Sequence, residues 1–110
     1  MSIKILLLKS GETVISEAKE LISEEKVCGY LLENPHKIET RKTVLLVEEN
    51  NPTNGDLEIS ISPWIVLTSD TKIPIPTDWV VTIVEPIKTI KEMYEEKVNG
   101  QNSQVSFTES

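Results

Sequence analysis

Few side chains in this 110-residue sequence are suited to catalysis or metal binding. His36 is the only histidine and Cys28 the only cysteine, so a catalytic triad or a Cys-His pair could use only these two residues. His36 follows Pro35 in a predicted loop, a context typical of a surface histidine. Cys28 stands one residue into a predicted strand, next to Gly29, and we expect it to be a small buried hydrophobe. The single cysteine excludes an internal disulfide and argues against a cysteine-based metal site.

Other patterns with chemical potential have simpler structural explanations. Ser23 and Lys26 have Ser-x-x-Lys spacing, but that pairing needs a rigid helix, and the SEEK segment that contains them predicts a turn. The paired glutamates at residues 24–25, 48–49 and 95–96 are adjacent, so their side chains diverge on a strand or a helix. The four glycines are dispersed and form no phosphate-binding loop. We therefore expect a protein that is not an enzyme and that has no cofactor or metal.

Composition and charge narrow the class of protein further. Hydrophobic residues make up 38% and charged residues 26% of the chain, which is typical of a globular domain. The formal net charge of -7 argues against strong nonspecific binding to nucleic acid, which requires a basic surplus. The apolar run near the N-terminus is interrupted by Lys9 and is too short for a signal peptide or a membrane span. We expect a cytoplasmic protein with no membrane partner.

The hydrophobic pattern predicts short strands over most of the chain. TVISEAKELI fits a helix face as well as a bent strand, but its β-branched start, after a hairpin-type turn at Gly11, favours a strand. VCGYLLENP is predicted to end at Asn34 and Pro35, and Asn54 with Gly55 is predicted to form a type I′ turn. In chain order, the predicted strands are IKILLLK, TVISEAKELI, VCGYLLENP, TVLLVEE, LEISISPWIVL and WVVTIV.

A short helix is predicted after the last strand. Pro86 suits the first helical position, and an apolar stripe follows at steps of three and four residues. Gly100 is a suitable place for the helix to end, and the residues after it lack periodicity. The stripe consists of Ile87, Ile90, Tyr94 and Val98.

Strands that follow one another without intervening helices indicate an antiparallel meander, and a small barrel limits its exposed edges. The predicted fold is therefore mainly β, a small and strongly bent antiparallel barrel of about five strands with a short C-terminal helix. It forms one domain over residues 1–99, and residues 100–110 are predicted to be a disordered tail. Pro74 and Pro76 are predicted to stiffen the connection to the closing strand.

Three apolar residues are candidates for a contact between subunits: Trp64, Trp79 and Val81. Tryptophan is enriched at interfaces because it supplies a large area at low entropic cost. Both tryptophans are flanked by apolar residues that a core would also use, so a core position and an interface position remain open for each.

Residues 4–32, KILLLKSGETVISEAKELISEEKVCGYLL, resemble the first motif of the Sm-like (LSm) family. That motif is an apolar strand, a turn ending in glycine, a second strand, and an acidic-x-aromatic-Met-Asn turn before a third strand. Gly11 falls at the turn glycine and Glu24 near the acidic position. Lys26 stands where the family has a base-stacking aromatic residue or histidine, and Cys28 where it has a base-contacting asparagine.

The family's second motif places Arg-Gly before the final apolar strand. Here residues 76–78, which include Asp78, occupy that turn, and WVVTIV occupies the final strand. The helix is C-terminal in this chain, whereas the family has it at the N-terminus. The chain is also similar to small divergent Sm-like proteins of marine bacterial viruses.

The resemblance implies a bent barrel that pairs its edges with neighbouring copies to form a ring-shaped homo-oligomer. Two functions follow from it. A non-enzymatic ring that acts in protein assembly or as an adaptor is favoured, because the chain is acidic and lacks the family's RNA-contacting residues. The alternative is a ring that binds single-stranded RNA, with Lys26, Cys28 and Asp78 at the contact positions.

Overall fold

The computed structural model describes residues 2–44 and 54–108, and it describes the side chains of residues 2–41 and 58–100. Within these residues it has six β-strands, a short 3₁₀ turn and a C-terminal helix. In chain order the elements are β1 (Ser2–Leu8), β2 (Thr13–Ser23), β3 (Lys26–Val44), β4 (Asn54–Pro63), β5 (Lys72–Pro76), the 3₁₀ turn (Thr77–Trp79), β6 (Val80–Val84) and α1 (Lys88–Thr108). All strand pairs are antiparallel, so the predicted mainly β architecture with a C-terminal helix is confirmed.

The strands form one sheet in the order β4-β3-β2-β1-β6, and β5 also pairs with β3. Because β2 occupies one edge of β3, β4 and β5 lie end to end along its other edge. The last strand, β6, returns to pair with β1. The sheet is not closed into a barrel, since within the described ranges no strand joins β6 to β4 or β5.

β3 is a single strand of 19 residues that bends in its middle. Its first half pairs with β5 up to Glu33, and its second half pairs with β4 from His36 onward. Asn34 and Pro35 pair on neither side, and Asn34 has a φ of 54°. The expectation that this strand ends at Asn34 and Pro35 is therefore wrong. A proline is tolerated inside the strand because it lies at a gap in the ladder, where no N–H is needed.

Two of the three turns predicted from the sequence are present in the structure. Gly11 has a φ of 93° and its N–H donates to the Leu8 carbonyl at 2.9 Å, which closes the β1–β2 turn as predicted. Glu24 and Glu25 form the two-residue β2–β3 turn, with φ values of 53° and 67°. Asn54 and Gly55 do not form a turn, because both belong to β4. In the predicted strand TVLLVEE, residues 45–49 lie outside the described residues.

The two faces of the sheet carry separate apolar clusters. Alternate residues of β1 point to opposite faces, so this strand is buried on both sides. One face packs on itself as the sheet curls, and its buried members are Leu6, Leu8, Val14, Leu32 and Ile75. The other face is covered by α1, and its buried members are Ile15, Ile61, Ile90 and Tyr94. Each fully buried aliphatic side chain contributes roughly 1.5–3 kcal/mol.

The helix uses most of the predicted apolar stripe. Ile90 and Tyr94 are buried against the sheet and Val98 packs beside them, whereas Ile87 precedes the helix and is exposed. The helix continues past Gly100, because a glycine inside a helix costs only about 1 kcal/mol relative to alanine. The end of the helix predicted at Gly100 is therefore wrong. The domain boundary at residue 99 and the disorder of residues 100–110 stay predictions.

Candidate assembly interface

β6 forms one outer edge of the sheet. It pairs on its inner side with β1, through Leu6↔Ile83 and Leu8↔Val80, with a bulge between these pairs. On its outer side the backbone N–H and C=O groups meet no other strand in the part of the chain that the structure describes. Such a row of unpaired groups is a template for pairing with another strand.

The side chains next to this free edge are apolar. Val80 and Ile83 pack against the first cluster, and the bulge between their pairs with β1 leaves Val81 without a partner in the ladder. Val81, Val84 and the following Ile87 have exposed fractions between 50% and 68%. We call these three residues the β6 apolar edge. An isolated exposed valine is ordinary, but three exposed aliphatic residues in and just after a strand with a free outer side form a surface suited to burial.

The two tryptophans lie in different environments. Trp64 is half-buried against the first cluster, and its backbone N–H donates to the Pro35 carbonyl at 3.1 Å. Its indole N–H donates to a carboxylate oxygen of Glu12 at 3.4 Å. Trp79 is exposed, and its carbonyl accepts the Lys9 N–H at 2.9 Å. Two of the three predicted interface residues, Trp79 and Val81, are thus close together at β6. The third, Trp64, packs on the core. Contact of these three residues with another subunit stays a prediction.

The opposite edge of the sheet is polar. β4 exposes Glu58 and Ser60, and Arg41 of β3 pairs with Glu58 at 3.2 Å. These residues line an open depression of about 550 Å³ together with Glu39 and Thr40. Like β6, β4 has no strand on its outer side within the described ranges. Charged side chains are a common means of protecting such an edge, so the two edges differ in chemical character.

The residues predicted to contact RNA come to the same end of the β3–β5 ladder. Gly29 pairs with Pro76, which directly precedes the 3₁₀ turn that contains Asp78. Lys26 and Cys28, just before Gly29, are both exposed, and the Cys28 thiol donates to the Leu21 carbonyl at 3.4 Å. The expectation that Cys28 is buried is therefore wrong, because the start of β3 extends beyond the core.

Gly29 explains how β5 approaches β3 at this end. A Cβ atom at this position would lie 2.6 Å from the carbonyl oxygen of Ile75, closer than any real contact. The glycine is therefore required for the pairing of Gly29 with Pro76, and through it for the position of the 3₁₀ turn. The spacing of Pro74 and Pro76 in the sequence gives no sign that a glycine is needed opposite them.

The prediction that His36 lies in a surface loop is wrong. His36 is fully buried on β3. It is buried because the strand continues past Pro35 and because α1 covers this part of the sheet. Its Nδ1 lies 2.9 Å from the Asn34 carbonyl oxygen, and its ring meets Tyr94 edge to face at 5.5 Å. Its Nε2 has no hydrogen-bond partner among the described residues. These contacts indicate a structural histidine at the bend of β3.

Tyr94 connects α1 to the bend of β3 by hydrogen bonds. Its hydroxyl lies 3.1 Å from the carbonyl oxygen of Glu33 and 3.0 Å from that of Asn34, so it donates to this pair of carbonyls. Ser16 of β2 donates to the Glu33 carbonyl as well, at 2.9 Å. Burial raises the pKa of Tyr94 to about 12. These hydrogen bonds hold α1 at the bend of β3, where β3 changes from pairing with β5 to pairing with β4.

Residues 2–44 and 54–108 contain no group of three or more His, Cys, Asp or Glu side chains arranged to hold a metal ion. The same part of the chain has no helix with the length and apolar character needed to cross a bilayer.

These features define an antiparallel β-sheet protein whose sheet is covered on one face by a C-terminal helix and, within residues 2–44 and 54–108, has two free edges. The chain belongs to a family of unknown function, DUF6561, whose model matches residues 1–99. No curated protein matches the chain in sequence.

Proposed function

We propose that the protein is a non-enzymatic Sm-like module that assembles into a ring-shaped homo-oligomer and acts in protein assembly or as an adaptor. The observation that carries the proposal is the pair of free edges, one polar at β4 and one apolar at β6, on a single curled sheet. The β6 edge of one copy pairs with the β4 edge of the next, which satisfies the backbone groups of both strands.

The curvature of the sheet supports the barrel-like part of this proposal. β6 returns to β1, β3 bends at Asn34, and the half-buried Trp64 packs against the same cluster as Val80. The ends of the sheet therefore turn toward each other around one core, as they do in a small barrel. The turn at Gly11, which carries the sequence resemblance to the Sm-like family, occupies the expected place between the first two strands.

The chemistry of the two edges determines the symmetry of the assembly. Because the β4 and β6 edges differ, their pairing is head-to-tail, and such contacts generate a ring when the rotation closes. Burying the exposed parts of the β6 apolar edge contributes roughly 3–5 kcal/mol per contact, before the entropic cost of association. Cytoplasmic residence is part of the proposal, since the chain has one cysteine and cannot form an internal disulfide.

Light scattering coupled to size-exclusion chromatography tests this proposal. At micromolar concentration the wild-type protein should run as a defined oligomer, and Val81→Lys should shift it to monomer by placing a charge on the free edge. Ile22→Lys is the matched control, because Ile22 is equally exposed but lies at the β2–β3 hairpin tip. A wild-type protein that is monomeric at this concentration would sink the proposal.

RNA binding by the same ring is the second candidate function. It is favoured by the gathering of exposed Lys26 and Cys28 beside the turn that contains Asp78. Filter binding to U-rich and A-rich oligomers at two salt concentrations tests it. Salt-steep retention that Lys26→Ala abolishes and Lys91→Ala preserves would support RNA binding. Absence of retention at low salt would exclude it.

A further inference from the structure

The loop between β4 and β5 holds the most exposed apolar side chains in the described part of the chain. After Trp64, the exposed fraction rises from 42% at Ile65 to 72% at Val66 and 95% at Leu67. We refer to these three residues as the 65–67 segment. Consecutive aliphatic residues rarely project into water from a loop unless they contact a partner.

Both ends of this loop are fixed. At its start, Trp64 is held by the hydrogen bonds to Pro35 and Glu12 described above. Toward its end, the Asp70 N–H donates to the Thr68 hydroxyl at 3.0 Å, and the Thr71 carbonyl accepts the Asn34 N–H at 2.7 Å. The loop therefore presents the 65–67 segment in a defined direction, and this segment does not fold back on its own core.

The position of the loop in the sheet indicates what covers it. The loop directly continues β4 beyond Pro63, and β4 is one of the two free edges. If β4 pairs with β6 of a second copy in the antiparallel sense used throughout this sheet, the end of β4 meets the start of that β6. Trp79, the last residue of the 3₁₀ turn, and Val81 lie at this start, and both are exposed. Within one copy Leu67 is 95% exposed and Trp79 is 42% exposed, so both have surface that a second copy can cover.

Each of the two surfaces has charged side chains at its margin. Asp70 follows the 65–67 segment by three residues, and Lys9 lies beside Trp79, to whose carbonyl its backbone N–H is bonded. Both side chains are exposed, and neither takes part in an ion pair among residues 2–41 and 58–100. The surface around Trp79 thus has both a cation, Lys9, and an anion, Asp78, at its margin, and Lys9 is the group that can meet Asp70 of a second copy.

We propose that the 65–67 segment is the anchor between subunits, and that it docks on Trp79 and Val81 of a second copy of this chain. This inference rests on the proposed homo-oligomer and names a contact within it. The segment extends the interface beyond strand pairing, because Leu67 enters the neighbour's exposed surface beside β6. Trp64 holds the anchor in place, which explains how a tryptophan packed on the core also serves the interface.

Disulfide trapping tests the contact directly. In a Cys28→Ser background, the double variant Leu67→Cys with Val81→Cys should form a ladder of covalent oligomers on mild oxidation. The control pair, Leu67→Cys with Ile22→Cys, should remain monomeric on a denaturing gel. A disulfide that forms within one chain, or no ladder from an oligomeric protein, would overturn the inference.

A second measurement separates this inference from the proposed function. Leu67→Ser should raise the dissociation constant of the oligomer roughly tenfold to a hundredfold, the effect of losing one buried leucine. An oligomer unaffected by Leu67→Ser but broken by Val81→Lys would refute the anchor and keep the ring. A monomeric wild-type protein would refute both. Binding of the wild-type protein to phosphatidylcholine vesicles that Leu67→Ser abolishes, with the oligomer unchanged, would assign the segment to a membrane surface instead.

Discussion

The buried hydroxyl of Tyr94 should make the docking of α1 sensitive to alkaline pH. The folded protein holds this group at a pKa of about 12, against 10.0 for an ordinary tyrosine, because burial disfavours the phenolate. The unfolded chain therefore loses this proton first as the pH rises. The contribution of Tyr94 to stability is complete below pH 10 and is lost between about pH 10 and pH 12.

The size of this loss follows from the two pKa values. The difference corresponds to at most about 3 kcal/mol of folding free energy, and solvent screening of the hydroxyl lowers this figure. Tyr94→Phe removes the ionisable group and also its hydrogen bonds to the carbonyls of Glu33 and Asn34. At neutral pH this substitution should cost about 1–3 kcal/mol, since it leaves two buried carbonyls with fewer donors.

Urea unfolding followed by circular dichroism, from neutral pH to pH 12 at constant protein concentration, measures both effects. Tyr94→Phe should begin less stable than the wild type and should lose less stability above pH 10. Tyr30→Phe is the control, because Tyr30 is the other tyrosine and lies outside the cluster beneath α1. An alkaline loss as large in Tyr94→Phe as in the wild type would refute the assignment to Tyr94.

Two other substitutions test the backbone features that shape the sheet. Gly29→Ala should lower the free energy of unfolding by about 1–3 kcal/mol, because the alanine Cβ would lie 2.6 Å from the Ile75 carbonyl oxygen. An unchanged midpoint of urea unfolding would contradict the close approach of β5 to β3. Replacing Glu24 by Asn and Glu25 by Gly should stabilise the protein by about 1 kcal/mol, since both residues have positive φ in a two-residue turn. Thermal unfolding should show a higher Tm for this double variant, and an equal or lower Tm would argue against backbone strain at this turn.

The elements of the fold were predictable where local pattern and tertiary packing agree. The β-branched start of β2, the alternation in β4 and the spacing of Ile90, Tyr94 and Val98 all follow from which side chains must face the core. The turn at Gly11 follows from its backbone freedom. In each case a short window of sequence contains the whole physical reason for the structure.

The remaining features depend on partners that are distant in sequence. His36 is buried because α1, some 50 residues later, covers it, and Tyr94 bonds to the bend beside it. Pro35 is accepted inside β3 only because it lies between the residues of β3 that pair with β5 and those that pair with β4. Asn54 and Gly55 have the composition of a turn, yet pairing with β3 places them in a strand. No local signal gives these outcomes.

The candidate assembly interface likewise depends on the positions of strands that are distant in sequence. Trp79 and Val81 were predicted as interface residues from their type, but their exposure follows from the position of β6 at the edge of the sheet. The apolar 65–67 segment ends the predicted strand LEISISPWIVL, which the alternation of its apolar residues indicates and which Pro63 is expected to interrupt or bend. The strand ends at Pro63, which places the segment in a loop and turns a core-like sequence into an exposed surface.

The contrast between the two edges of the sheet bears on the choice between the two proposed functions. A monomeric protein commonly protects an outer strand with lysine, proline or a charged pair, as the Arg41–Glu58 pair does at β4. β6, with the sequence VVTIV, has no such residue, and Glu85 and Pro86 come only after the strand has ended. RNA binding at Lys26 gives no reason for this unprotected strand. Assembly through β6 does, because pairing with a second copy removes the exposed edge.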